Sequence, residues 1–351
     1  MKQALFTLLA MLCMFSACSG IRYMEIEMYS PAEITYPSGV RKVLIADNAL
    51  PQPPDTNCVY LVGGIYREKC SAAADSALRD ACRFLGKALV EANYFDDVLL
   101  LDEKLRKDSA NYYIYRKIPP EEVQALCEET GADAIITFDR LIFNTKKEIS
   151  KSEGYVNGAI SVYVNGIAGS YLPDGAEKPV AVLVSDSIFW SEWGESEKQV
   201  NSLLPTPEEA LRIAARYVSE KICAAFVPHW ESGQRWIYTS SGSRWKEGTA
   251  YAIAEKWDAA AECWQQLFDK TTNQQNRARL ASNLALCDEL TGKLEEAHAY
   301  ASTSATLFAE FQGEEALPTL LQNQYMKRLD QRIDDDRKLN LQLQLPAIME
   351  F

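Results

Sequence analysis

The sequence predicts an α/β or α+β domain with a mixed sheet and a long hairpin, followed by an all-α domain. Three observations predict it. Strand and helix patterns alternate from about residue 40 to residue 228, the order of a sheet covered by helices. From Val156 to Leu172 apolar or small side chains recur at every second position, the period of a strand, and Val180 to Trp190 supplies a returning run. After residue 243 the composition turns to Ala, Gln, Leu and Glu with few β-branched residues, as packed helices require.

Taken in order, residues 18–37 read as a tether and lead-in segment. Within it Tyr23, Glu25, Glu27 and Tyr29 alternate with Met24, Ile26 and Met28 in a strand pattern. The α/β domain then spans 38–230. Arg41 to Ala46 is a short buried strand, and Pro51, Pro53 and Pro54 enforce a loop. Ala72 to Ala92 carries Ala74, Ala77, Leu78, Ala81, Leu85 and Leu89 at spacings of three and four, the stripe of a helix. Phe95 to Leu101 is a strand. Pro119-Pro120-Glu121-Glu122 opens a second helix that Gly131 ends. Ala132 to Phe138 is the next strand.

From Val156 to Leu172 the parity of the pattern survives both Asn-Gly pairs, at 157–158 and 165–166. One long strand is therefore favoured over two hairpins, because a turn at either pair would reset the alternation. Pro173-Asp174-Gly175 is the better turn, and Val180 to Trp190 returns alongside. Pro207-Glu208-Glu209 starts a third helix, stopped by Pro228. Residues 231–243 read as an aromatic linker, with Trp190, Trp193, Trp230, Trp236 and Trp245 grouped near a domain junction. Helical repeats with a capping helix occupy 244–340, and 341–351 is a tail.

Formal net charge is −13, which excludes nucleic acid and anionic headgroups as natural partners. Nine cysteines do not form a metal spacing. Cys58 and Cys70 flank a short segment and are candidates for a disulfide; Cys82, Cys127, Cys223, Cys263 and Cys287 sit among Ala, Leu and Phe and read as buried free thiols. The two histidines, His229 and His298, have no nucleophile at recognisable spacing. No cofactor, metal or catalytic residue is expected, although carboxylate pairs assembled in space leave no local signature.

Met1-Lys2, an apolar run from Ala4 to Phe15 and small residues before Cys18 form a secretory signal over 1–17. Ser16-Ala17-Cys18 resembles the lipobox of bacterial lipoproteins. The resemblance implies cleavage, acylation of Cys18 with chains such as palmitate, and a mature protein held to a membrane by its end.

Gly248, Tyr251, Trp257, Ala260 and Trp264 resemble the signature positions of a tetratricopeptide repeat. Gly292, Leu294, Ala297 and Ala301 place a second copy 37 residues on, with Leu294 and Ala297 standing where Trp257 and Ala260 do. Small residues at Ala260 and Ala297 would let antiparallel helices approach. In that frame Arg244, Glu247, Tyr251, Asn283 and Asp288 face the concave groove, an assignment by position.

The order of elements over about 40–228, with Gly131-Ala132-Asp133-Ala134 leading into a strand, resembles the N-terminal α/β domain of TolB and that of CsgG-type lipoproteins. Together with the lipobox, the Pro31 to Pro37 segment and the repeats, the whole resembles an uncharacterised lipoprotein family of Bacteroidetes. The resemblance implies architecture and location, not activity. The expectation is a non-enzymatic lipoprotein on the periplasmic face of the outer membrane, binding an envelope protein or peptide through its repeats. The alternatives are a subunit of an envelope secretion assembly, with the 155–190 hairpin in oligomerisation, and an envelope enzyme acting on glycan.

Overall fold

The computed structural model describes residues 20–53, 56–64, 66–70 (as backbone), 72–108, 111–173 and 179–344. The signal segment and Cys18 lie outside them. The chain forms two compact units. An N-terminal mixed-sheet unit is built from 31–229, to which Gln342 also belongs; the described part of the other, largely helical unit is 20–30 and 230–341.

Strand β1 (Ile21–Ser30) belongs to the helical unit. The α/β unit runs β2 (Lys42–Asp47), β3 (Cys58–Val62), β4 (Tyr66–Cys70), α1 (Ala74–Ala92), β5 (Asp97–Lys104), α2 (Pro120–Thr130), β6 (Ala134–Ser152), β7 (Tyr155–Tyr171), β8 (Val180–Gly194), α3 (Glu197–Leu203) and α4 (Pro207–Phe226). Parallel β2 lies between β5 and β6. Val43 to Ala46 of β2 are at most 1% exposed, as a strand covered on both faces requires. Leu78, Leu85 and Leu89 of α1 and Ala214, Ala215 and Val218 of α4 pack on one face; Val123 and Cys127 of α2 pack on the other. Each fully buried leucine contributes about 1.5–3 kcal/mol.

β6 is 19 residues long and takes two partners end to end. Ala134 to Phe138 pair with β2 and Thr145 to Ile149 with β3, while the other edge pairs with β7 throughout. β7 is unbroken from Tyr155 to Tyr171, so neither Asn-Gly pair turns. Gly158 serves space instead: a Cβ there would stand 2.4 Å from Val200 of α3. Asp133 fixes the start of β2 by accepting hydrogen bonds from Arg41 and Lys42 backbone amides at 2.9 and 2.8 Å. A capping box of Thr206 and Glu209 with Pro207 in the first turn starts α4.

The helical unit adds β9 (His229–Tyr238), α5 (Ser243–Ile253), α6 (Trp257–Lys270), α7 (Gln274–Leu290), α8 (Leu294–Gln312) and α9 (Leu317–Gln342). β1 and β9 pair as a two-stranded sheet. The expected tether and aromatic linker are therefore corrected: residues 21–30 and 230–238 are strand residues of the helical unit. Two alternating segments 200 residues apart look like a lead-in and a linker when each is read alone, since nothing local announces a distant partner. The grouped tryptophans also separate. Trp236 and Trp245 are buried in the helical core, whereas Trp193 and Trp230 are 72% and 68% exposed.

Candidate functional site

Two copies of one turn organise the helical unit. Ala254 and Thr291 bond back to Ala250 and Cys287, and Lys256 and Lys293 bond to Tyr251 and Asp288, at 2.8–3.1 Å. Between them Glu255 and Gly292 both take left-handed backbone, at φ +57° and +79°. Trp257 and Leu294 then begin α6 and α8. Ala260 and Ala297 are fully buried where the paired helices approach. In the first copy a Cβ at Gly248 would stand 2.6 Å from the indole of Trp264, itself fully buried. The turns that join α5 to α6 and α7 to α8 thus repeat at 37 residues in backbone hydrogen bonding as well as in sequence.

The five residues assigned to a concave groove do not act together. Arg244 ion-pairs with Glu247 at 2.9 Å and donates to Gln266 at 2.8 Å on the half-exposed side of α5. Tyr251 is half-buried against the helical core. Asp288 is half-buried at the end of α7, where burial raises its carboxyl above the ordinary range. Asn283 is corrected outright. It is fully buried, and its amide clamps β9: Oδ1 accepts from the Tyr238 backbone N–H at 2.7 Å and Nδ2 donates to the Tyr238 carbonyl at 2.8 Å. A buried backbone group needs a partner, and an asparagine supplies both donor and acceptor.

A second buried attachment was not legible beforehand. The Arg235 guanidinium of β9 meets Glu289 of α7 in a two-pronged pair, Nε to Oε2 at 3.0 Å and Nη2 to Oε1 at 2.6 Å. Tyr325 of α9 donates to Glu289 Oε2 at 2.7 Å, and Met28 of β1 lies against the guanidinium at 3.4 Å. The side chains are 6% and 1% exposed. The sequence reading gave neither residue a role, because a single charge carries no sign of a partner 54 residues away.

A groove of about 830 Å³ opens in this unit. Arg22 to Glu27, six successive residues of β1, line one side; the turn residues Ile253, Glu255 and Trp257 line the other, with Trp230. Side chains on one face of a strand come from alternate residues. A wall made of every residue is the strand's edge, and β1 pairs only with β9 among the described residues. Its charges are Glu25, Glu27 and Glu255 against Arg22.

In the α/β unit, buried polar groups gather where β2 and β6 end or bulge. Asp139 lies where the β6–β7 register slips. Its carboxylate accepts from Asn48 at 2.8 Å, Thr137 at 2.7 Å and Tyr171 at 2.5 Å. Burial lifts its carboxyl and these donors pull it back. Cys58 is disulfide-bonded, and the ladder sets it opposite Cys70. Cys82, Cys127, Cys223, Cys263 and Cys287 are buried and free; burial pushes the Cys223 thiol up to about 12. No group of metal ligands occurs among the described residues, and no described helix is long and apolar enough to cross a membrane.

Comparison with known proteins gives two family matches. Residues 246–331 match a domain of unknown function, DUF6340. No curated protein matches. A crystal structure of an uncharacterized protein covers 52% of this chain and 94% of its own at 9% identity, with a TM-score of 0.18. Residues 40–238, more than half of the chain, match the domain of unknown function DUF8603, and the chain belongs to that family.

Proposed function

We propose that this chain is a lipid-anchored envelope protein that binds an extended, basic protein segment through its helical unit. The groove along Arg22 to Glu27 of β1, on the edge that no described strand pairs, carries the reading. An unpaired strand edge offers main-chain hydrogen bonds to an added strand. Trp230, Trp257 and Ile253 offer apolar contact beside it, and the three glutamates against one arginine select a cationic partner. The envelope location rests on the signal segment and Cys18. No catalytic role is assigned.

The test is fluorescence anisotropy with a labelled decapeptide alternating Lys and Val, against its Glu/Val counterpart. The Lys/Val peptide is expected to bind at low salt and to weaken as salt rises. Glu25→Lys with Glu27→Lys should reverse the preference, and Trp257→Ala should weaken both peptides. Equal binding of the two peptides, unmoved by these variants, removes the reading. Mass spectrometry of the mature N-terminus tests the acyl anchor separately.

One observation favours the assembly-subunit alternative. β8 pairs only with β7 among the described residues, and its outward Leu183, Phe189 and Trp193 are 79%, 71% and 72% exposed. A long apolar edge strand is a template for association. Native mass spectrometry decides: oligomers that Phe189→Lys dissolves support it, and a monomer at high concentration ends it.

A further inference from the structure

The α/β unit holds a pocket of about 260 Å³ at the carboxyl ends of β2 and β5. In parallel sheets this end is where ligands sit. Asp47, the last residue of β2, pairs with Lys104, the last residue of β5. The register slips between Ile45 and Asp47: Ile45 faces Leu100, yet Asp47 faces Lys104. The extra residues on β5 swing Lys104 beside Asp47, as bulges next to functional sites do.

Asp47 is 5% exposed. Its Oδ1 accepts from the Ala49 backbone amide at 3.0 Å, but its buried Oδ2 has no hydrogen-bond partner. Asp139, a few residues further round the same sheet end, is the contrast: both of its oxygens are engaged by Asn48, Thr137 and Tyr171. Leaving a buried oxygen open costs about 1–3 kcal/mol. The unit carries that cost at Asp47 and avoids it at Asp139.

The pocket's other charged lining is Arg79, Arg83 and Lys104 against Asp102. Arg79 and Lys104 both reach Asp75, Arg79 at 3.3 Å, and Arg83 reaches Asp80 at 3.9 Å. Arg79 and Arg83 are more than half exposed, so an incoming anion can share them. Counting Asp75 and Asp80, which hold these cations, three cations face four carboxylates, so an anion is recognised here by sharing the solvent-facing guanidiniums and not by net charge. The open Oδ2 calls for a hydroxyl donor. Burial pushes the Asp47 carboxyl up to about 6.

We propose that this pocket binds a hydroxylated organic anion of monosaccharide size, a sugar acid or sugar phosphate. A hydroxyl donates to Asp47 Oδ2, and the acidic group meets the guanidiniums of Arg79 and Arg83 and the Lys104 ammonium. Guanidinium forks match carboxylate and phosphate oxygens in pairs. The site is independent of the β1 groove.

Calorimetric titration of the full chain at neutral pH tests it, with glucuronate and glucose 6-phosphate as probes and glucose and inorganic phosphate as half-ligands. At least one probe should bind about tenfold or more tighter than either half-ligand. Which one binds separates sugar acid from sugar phosphate. Asp47→Asn should weaken that probe about tenfold, and so should Arg79→Gln, whose exposed side chain leaves the fold intact. The proposal fails if neither probe binds at millimolar concentration, if phosphate alone binds as well, or if Arg79→Gln and Arg83→Gln both bind undiminished.

Discussion

Glu255 and Gly292 occupy the same left-handed position in two copies of one turn, 37 residues apart, at φ +57° and +79°. Glycine enters that region freely, and a residue with a Cβ pays about 1 kcal/mol. Glu255→Gly should therefore stabilise the helical unit by about 0.5–1 kcal/mol, and Gly292→Ala should destabilise it by about 1 kcal/mol. Urea unfolding followed by tryptophan fluorescence reads both. Opposite signs at the two sites are the expected outcome; equal signs contradict the repeat.

Gly248 tests the packing within the first copy. A methyl there meets the Trp264 indole at 2.6 Å, and Trp264 is fully buried with nowhere to retreat. Gly248→Ala is expected to cost about 1–3 kcal/mol despite the better helix propensity of alanine. The midpoint of thermal unfolding should fall, with a change in the near-UV signal of the indole.

The Arg235–Glu289 pair should behave as buried ion pairs do. Glu289→Gln leaves a buried guanidinium short of its counter-charge and is expected to cost about 3–5 kcal/mol. Arg235→Met with Glu289→Leu should recover most of that loss, because two apolar side chains need no desolvation. A double-mutant cycle by denaturant unfolding checks the coupling.

Asp47 sets a pH dependence whose sign is unusual for an aspartate. Its folded carboxyl lies at about 6, above the ordinary 3.8, because burial disfavours the charged form. The folded state then binds the proton more tightly than the unfolded chain. This contribution is fully present below 3.8 and is lost as pH rises to about 6. The total is about 3 kcal/mol at one unit per 1.36 kcal/mol. Asp47→Asn should flatten that segment of the stability curve relative to the parent and leave the parent less stable than the variant at neutral pH. Chemical unfolding across pH 4–7 on both proteins measures the difference.

Local pattern was enough to read much of the fold, and the limits are physical. Helices α1, α2 and α4 announced themselves through apolar spacing and Pro-Glu starts, and β7 through a parity that two Asn-Gly pairs did not reset. β6 was read only to Phe138, because Arg140 and Lys146 interrupt its apolar run, yet it continues to Ser152. The β1–β9 pairing and the Arg235–Glu289 pair were invisible, since each joins segments far apart in the chain. The groove residues illustrate the same limit: Asn283 has the polarity of a surface residue and the position of a core one. Asp47 closes an apolar run as strand-end residues often do, and only the register slip against Lys104 marks it out.

Because β1 pairs with β9, the α/β unit is an insertion in the sequence of the helical one. During synthesis β1 emerges about 200 residues before its partner, a wait on the order of ten seconds or more at ~5–20 residues per second. All of the inserted unit except its Gln342 segment is made in that interval, whereas Met24, Ile26 and Met28 of β1 stay uncovered until β9 and the helices arrive. The first of the described strands to be made is among the last to be placed, and it is the segment a holdase would have most reason to cover.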